Sequence, residues 1–441
     1  MKHLQALQKT LLESSIGDRI VYTLVFLFPI AGMSVRHWLS GIFSLIAIIS
    51  LPMLVKTAKG PLRREEKILL YIFLAFLFSF ALSATLNGWT DNSIKRIGTE
   101  FKYLLFIPLY LLLRRNQSLD SFLFAGVIVG SILLGAQAVY DTYFHEWHRA
   151  VGQYGQIVFG DLAVLYFTIT SFIAIQYKDS KCSRYLLIPL TMSLLSVYLS
   201  GTRNAWIALL VSLALIILLS RPASNIKNLS KVFLPTFLLT IFIAVLVSTT
   251  SQSQILNRFT TAISEVDTIS NNQKIDTTST LHGKSFQFRL EKWKVALRIF
   301  TEAPVFGYGA GNVGIHINRY VKAGKAHPDL YDLPSETGIG DTWNTYIDSL
   351  VHEGTIGFVI FLIFLIYPLY ISIKLRSQNL LLSNIGIMFS INYMIFGLSE
   401  NPFISDNASS VYLLFLAVIF SSLVTSKYDA FINSPHERKN N

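Results

Sequence analysis

Cysteine is all but missing from this 441-residue chain: Cys182 stands alone, which excludes an intrachain disulfide and a cysteine-built metal site. Charge is scarce as well. Asp, Glu, Lys and Arg make up 14% of the residues against 52% apolar, where a globular domain of this length carries far more charge. Acidic residues are the scarcer sign, 26 against 37 basic. The net charge of +11 would suit a nucleic-acid binder, but the basic residues sit beside hydrophobic runs, as topology signals do, so no nucleic-acid partner is expected. A cleavable signal peptide is also lacking. Leu4, Leu7, Leu11 and Leu12 instead share one helical face among Lys2, Lys9 and Glu13, which predicts an amphipathic helix on the membrane surface over residues 3–15. No internal repeat is visible, which disfavours transporters built from repeated halves.

What the chain has is hydrophobic length. About twelve stretches meet the requirement for a spanning helix: 20–35, 39–55, 68–86, 102–113 (extending back through Ile94), 121–140, 157–176, 185–200, 204–220, 232–248, 354–373, 380–398 and 408–425. Alternate connections hold the basic residues, among them Arg63, Arg64 and Lys67, then Arg114 and Arg115, then Lys178, Lys181 and Arg184, then Lys374 and Arg376. The opposite connections carry little besides Arg36, Lys95, Arg96, Arg149 and Arg203. The positive-inside rule puts the basic connections and both termini in the cytoplasm. The fold class expected is an all-α polytopic membrane protein. Residues 1–248 hold the surface helix and spans 1–9, 249–353 form a large, partly helical outward loop, and 354–441 hold spans 10–12 and a cytoplasmic tail. In a Gram-negative cell that loop is periplasmic, where no ATP is available, so a synthetic reaction there draws on an activated donor.

Within the loop, Ser251 to Gly283 is rich in Ser, Thr, Asn and Gln and is expected to be mobile. Phe286, Leu290, Trp293, Leu297 and Phe300 then recur as one apolar stripe, which predicts a helix ended by Pro304. A second helix is expected from an Asp341 or Thr342 N-cap to about Glu353, where Gly354 breaks it. Arg203 lies at the outer mouth of the eighth span, where the chain otherwise avoids arginine, and a guanidinium there suits bidentate binding of phosphate. Arg289, one turn from Phe286 and Trp293, is placed to face it along the membrane surface, and together they make a diphosphate clamp. Gly307-Tyr308-Gly309-Ala310-Gly311-Asn312 matches neither dinucleotide nor phosphate-loop patterns and reads as a close-approach turn. His145 and His148 lack a third ligand, and His352-Glu353 lacks the second histidine of a zincin, so no metal site is expected. Asp161, an ionisable group inside the sixth span, is a functional candidate.

Taken together these features resemble the O-antigen ligase and polymerase superfamily of bacterial cell envelopes. The likeness rests on the span count, the loop between spans 9 and 10, Thr202-Arg203-Asn204-Ala205-Trp206, Arg289 opening a helix that leads to Gly307–Asn312, and Asn344-Thr345-Tyr346-Ile347 followed by Gly354-Thr355-Ile356-Gly357-Phe358. The resemblance implies a cofactor-free, metal-independent glycosyl transfer on the periplasmic side of the inner membrane. The donor is a glycan on undecaprenyl diphosphate, whose diphosphate Arg203 and Arg289 hold, with Trp343, Asn344 and Tyr308 as further substrate contacts. A histidine immediately before the asparagine deprotonates the acceptor in the family, but here that position is Trp343. His352 lies nine residues on, which at about 100° per residue is the opposite helical face. His352 or His327 acting by another route, a carboxylate such as Asp341 or Glu353, or loss of activity are the alternatives, in that order. A single large loop favours a ligase acting on the lipid A–core oligosaccharide. A polymerase joining lipid-linked repeat units, and a lipid-linked oligosaccharide transporter, are the rivals.

Overall fold

The computed structural model of the protein describes residues 10–55, 61–116, 118–144, 149–177, 181–220, 226–250, 285–331 and 341–432. All regular structure among them is helical. Residues 3–9 of the expected surface helix, the Ser251–Gly283 stretch, and His145 and His148 lie outside the described residues.

The helices in chain order are α1 (Ile16–Leu27), α2 (Trp38–Ser50), α3 (Arg64–Asn87), α4 (Asp91–Glu100), α5 (Phe106–Leu113), α6 (Leu119–Tyr143), α7 (Gln156–Gln176), α8 (Leu187–Ser200), α9 (Arg203–Ser220), α10 (Ile226–Thr250), α11 (Ser285–Glu302), α12 (Val313–Lys322), α13 (Thr345–Lys374), α14 (Leu380–Phe396) and α15 (Asp406–Ile432). Six of them, α3, α6, α7, α9, α13 and α15, contain stretches long and apolar enough to cross a membrane, and shorter apolar helices lie at Trp38–Leu54, Arg184–Ser200, Phe233–Val245 and Leu380–Phe396. The expected segments 20–35 and 102–113 are represented by α1, with 12 residues, and α5, with 8. The chain is thus a polytopic helical membrane protein.

Burial separates helices that hydropathy alone leaves alike. The most apolar stretch of α7 is 89% buried and that of α15 83%, against 33% for α9, so α7 and α15 form the centre and α9 the periphery. Around α7 pack α6, α8, α9 and α14. In lipid, helices gain little from burying apolar surface against one another, so close backbone approach matters more. Gly126 and Gly130 on α6 show it: a Cβ at either would lie 2.2 Å from Phe26 O or 2.3 Å from Pro29 O. Aromatic rings fill the space between α3, α5 and α13, with Phe73 stacked on Phe106 at 3.9 Å and Phe76 on Phe364 at 4.7 Å.

Residues 285–331 fold as a small helical cap at one end of the bundle. Its core joins Val295, Ala296 and Ile299 of α11 to Val313 and Ile317 of α12, Leu330, and Val351 of α13. The expected stripe on α11 is therefore not its buried face. Phe286 is 38% and Leu297 42% exposed. The cap packs through the β-branched and small residues of the adjacent face, which fit closely against α12 and α13.

Asn344, rather than Asp341 or Thr342, caps α13, accepting from the N–H groups of Tyr346 (3.0 Å) and Ile347 (3.1 Å). The helix breaks at Gly354, where φ is +68° and ψ −166°. The break frees main-chain groups, and the glycine turn satisfies them: Tyr308 N–H donates to Val351 O, Gly309 N–H to His352 O and Thr355 N–H to Pro304 O, at 2.9, 3.1 and 2.8 Å. A Cβ at Gly307 or Gly354 would sit within 2.6 Å of the opposite backbone. Glycine is required at both positions by conformation and by contact.

Candidate active site

At the cap end of the bundle, four elements bring charge to one point. The first is the turn before α9. Thr202 Oγ1 donates to Gln156 O at 2.8 Å, and the Arg149 guanidinium donates to Ser200 O (2.9 Å) and Gly201 O (3.2 Å). These bonds fix Arg203 as the first residue of α9, half-buried at a helix N-terminus. The unsatisfied N–H groups there add their positive partial charge to its own.

The second element is the first turn of α11. Arg289 Nη1 donates to Ser399 O at 2.7 Å, and Nη2 lies 3.7 Å from Glu400 Oε1. Burial depresses the pKa of Arg289 and the nearby Arg203 charge depresses it further, while Glu400, Asp341 and Asp161 oppose the shift. Arg203 and Arg289 are thus within electrostatic influence of each other, and an anion between them would interact with both charges.

The third element is the connection between α14 and α15, which carries Glu400. It is tied to the start of α13 by Thr345 N–H to Gly397 O (2.9 Å), Asn344 Nδ2 to Leu398 O (2.9 Å) and Thr345 Oγ1 to Glu400 O (3.0 Å). The Glu400 side chain keeps 26% of its surface open. Burial raises its pKa above the ordinary carboxylate range, against the pull of Arg289. Asp341 is raised too, by burial first and then by Asp348, with Lys292 and Arg96 pulling it down.

The fourth element is Trp343, in left-handed conformation at φ +53°. Its ring lies 4.4 Å from Lys292 Nζ, 5.7 Å from Arg289 Cζ and 5.5 Å from the Phe288 ring. The position for which the resemblance implies a histidine therefore lies against Arg289 and Lys292. It presents an aromatic plane there instead of a base.

The structure thus brings together Arg203, Arg289, Trp343 and, from α7, Asp161, whose carboxyl is in electrostatic reach of Glu400 and Arg289. Other expected residues are elsewhere. His352 is fully buried; Gly311 N–H donates to its Nδ1 at 3.0 Å, which leaves the ring proton on Nε2, 3.5 Å from Asp348 Oδ2. His352 is enclosed beneath the glycine turn, where its ring supports Gly311. Glu353 is likewise buried and accepts from Ser349 Oγ at 3.0 Å. His327 Nδ1 accepts from Asp329 N–H at 3.1 Å, serving its own turn. The Tyr308 hydroxyl donates to Glu302 Oε2 at 2.7 Å and its ring meets His316 at 4.0 Å, rather than the arginines. Asn344 spends its amide on capping α13 and on Leu398 O. Among the described residues no three of His, Cys, Asp and Glu are grouped to hold a metal ion.

Glu400 and Lys292 were not singled out by sequence reasoning. The available signal for Glu400 was an acidic residue in Ser399-Glu400-Asn401-Pro402, a polar break between two apolar runs.

Residues 188–362 match the model of the O-antigen ligase family. That stretch includes Arg203, Arg289, Trp343 and His352. The chain is also 24% identical over 355 residues to an uncharacterized protein of Haemophilus influenzae, covering 79% of this chain and 84% of that one. The family model that matches residues 188–362 belongs to the superfamily that the motifs resemble.

Proposed function

We propose that the protein is an O-antigen ligase of the bacterial inner membrane. It transfers a glycan from undecaprenyl diphosphate to the lipid A–core oligosaccharide at a site facing the periplasm, with both termini in the cytoplasm. The observation that carries this reading is the convergence of Arg203 and Arg289 beside a half-open carboxylate, Glu400.

In the reaction, the two arginines bind the diphosphate of the donor. Charge grows on that diphosphate as the bond from the anomeric carbon to its oxygen breaks, so guanidiniums already in place stabilise the transition state more than the ground state. Glu400 takes the proton of the acceptor hydroxyl as the acceptor oxygen bonds to the anomeric carbon. The electron pair of the broken bond leaves with undecaprenyl diphosphate. Burial holds the Glu400 carboxyl at a raised pKa, which strengthens it as a base when ionised. Trp343 offers a flat apolar face for a sugar ring.

Deletion of the gene tests the reading. The expected result is lipid A–core without long polysaccharide, with lipid-linked polymer accumulating. Single repeat units still attached to the core would identify a polymerase instead.

A further inference from the structure

The helix α4 is built inside out. Asn92, Ser93, Arg96 and Glu100 are buried, while Ile94 and Phe101, the residue just past its end, are 58% and 57% exposed. Arg96 pairs with Glu100 at 3.0 Å and lies 5.5 Å from the Phe80 ring. Thr90 Oγ1 ties the start of the helix to the cap, donating to Asn312 Oδ1 at 2.9 Å. A helix that faces water turns its polar side outward and its apolar side to the core. In lipid the order reverses, since charges at membrane depth face the bundle and pair with one another.

This apolar face continues others. From Arg96 to Tyr103 the chain runs down beside α3, with Arg96 over Phe80 and the Tyr103 ring 5.3 Å from that of Phe76. The exposed stripe of α3, through Tyr71, Leu74 and Phe78, continues upward to Leu86 and Trp89, each 54% exposed. On α13, which packs against α3, the exposed stripe of Ile363, Val359 and Ile356 leads to Val305 of the cap, whose carbonyl accepts from Ile356 N–H at 3.3 Å. Val305 and Phe306 are exposed as well. The lipid-facing stripes of two spans thus run onto α4 and the Pro304–Phe306 turn, and what covers the spans covers these residues too. Asp91 and Lys95 are the exposed charges near the start of α4. A lysine there can keep its stem along apolar surface and its charge among headgroups, and Trp89 is of the type that gathers at that boundary.

We propose that α4 and the Pro304–Phe306 turn are immersed in the lipid leaflet on the cap side of the bundle, with the headgroups level with Trp89 and Lys95. Phe101 then lies about 10 Å deeper than Ile94, seven residues along at about 1.5 Å each. The connection that carries Glu400 reaches that depth: Lys102 Nζ donates to Ile404 O at 3.3 Å and the Tyr103 hydroxyl to Phe403 O at 2.9 Å. On the ligase reading, a site floored at that depth meets the reacting bonds of lipid-borne substrates while their lipids stay in the bilayer. The immersed surface itself rests on the exposure of its residues and not on that reading.

The test needs no substrate. The full chain in lipid nanodiscs, with Cys182→Ser as background, receives Ile94→Cys, Phe101→Cys or Lys322→Cys, the last at an exposed position of the cap, and each cysteine carries a nitroxide label. Labels at Ile94→Cys and Phe101→Cys are expected to collide with oxygen and to lose broadening by a water-soluble nickel chelate, Phe101→Cys the more completely. The label at Lys322→Cys should show the reverse. Chelate broadening at the first two positions equal to that at Lys322→Cys overturns the inference. Phe101→Trp gives a check free of the label. Its added fluorescence should be quenched by lipids brominated along the acyl chain, and quenching by aqueous acrylamide alone overturns the immersion. A wild-type protein without transfer activity would defeat the ligase reading and leave these results standing.

Discussion

Two charged clusters lie side by side at the cap end of the bundle, and they are built to opposite purposes. Around Asp348 every charge is enclosed. Asp348 Oδ1 accepts from Thr342 N–H at 3.1 Å, and Oδ2 accepts from Asn401 Nδ2 at 2.8 Å while lying 3.5 Å from His352 and 3.8 Å from Arg96. Arg96 pairs in turn with Glu100 at 3.0 Å. Around Arg289 the charges are half-open. The guanidinium finds one main-chain carbonyl and one carboxylate at 3.7 Å, and shares its surroundings with the like charge of Arg203. The first cluster fastens α4, the Thr342–Asn344 turn, His352 and the Glu400–Asn401 connection to one carboxylate. The second is held in place by that fastening and stays partly open, with the Arg289 and Glu400 side chains 22% and 26% exposed.

Substitutions can break the comparison, and the largest effect is expected in the enclosed cluster. Asp348→Ala removes the buried carboxylate that faces His352, Asn401 and Arg96, leaving Arg96 with Glu100 alone, a loss of about 3–5 kcal/mol. It should appear as a lowered melting temperature and poor accumulation of the purified protein. Wild-type melting with lost transfer would instead make Asp348 part of the reacting machinery. In the half-open cluster the effects reverse. Arg203→Ala, Arg289→Ala and Glu400→Gln are each expected to lower turnover by about a hundredfold or more while melting stays unchanged. Full activity in either arginine variant would remove the clamp.

Acidity sharpens the role of Glu400. Its pKa is raised and a base acts only when ionised. Turnover should therefore rise with pH through a value above the usual glutamate range and fall away as the carboxyl protonates below it. Glu400→Gln should flatten that limb, and a limb of the same shape in the variant would assign the titration to another group. The smallest effect is expected at Trp343. Trp343→Ala removes ring contacts with Arg289 and Lys292 worth about 0.5–1 kcal/mol each, so a few-fold rise in KM is predicted with kcat little changed. A hundredfold fall in kcat would give the indole a larger part than a platform.

Much of this was legible before the structure. Hydrophobic length and sparse charge gave the class, because a spanning helix must satisfy its backbone internally and shows itself in composition. Arg203 stood out because it lies on the side the chain keeps poor in basic residues, and Arg289 because it lies one turn from Phe286 and Trp293 at the edge of the apolar stripe. Gly354 marked the helix break in the same way. Periodicity located α11 without saying which face it buries, and Phe286 and Leu297 of its apolar stripe are exposed. The burial of His352 was not legible either. Nothing near it in sequence announces that Gly311, 41 positions away, will occupy its Nδ1.

The sequence by itself determined the all-helical membrane class, the resemblance and Trp343 in the position where that resemblance implies a histidine, all of which rest on local composition or short spacing. The tertiary structure alone decided that His352 is shut away, that Trp343 lies against Arg289 and Lys292, and that Glu400 lies beside Arg289. Those outcomes depend on bonds between segments far apart in the chain, such as Arg289 to Ser399 O and Asn401 to Asp348, separated by 110 and 53 positions. Such pairings are set by how helices pack and caps close, and they leave no pattern in the sequence around either partner.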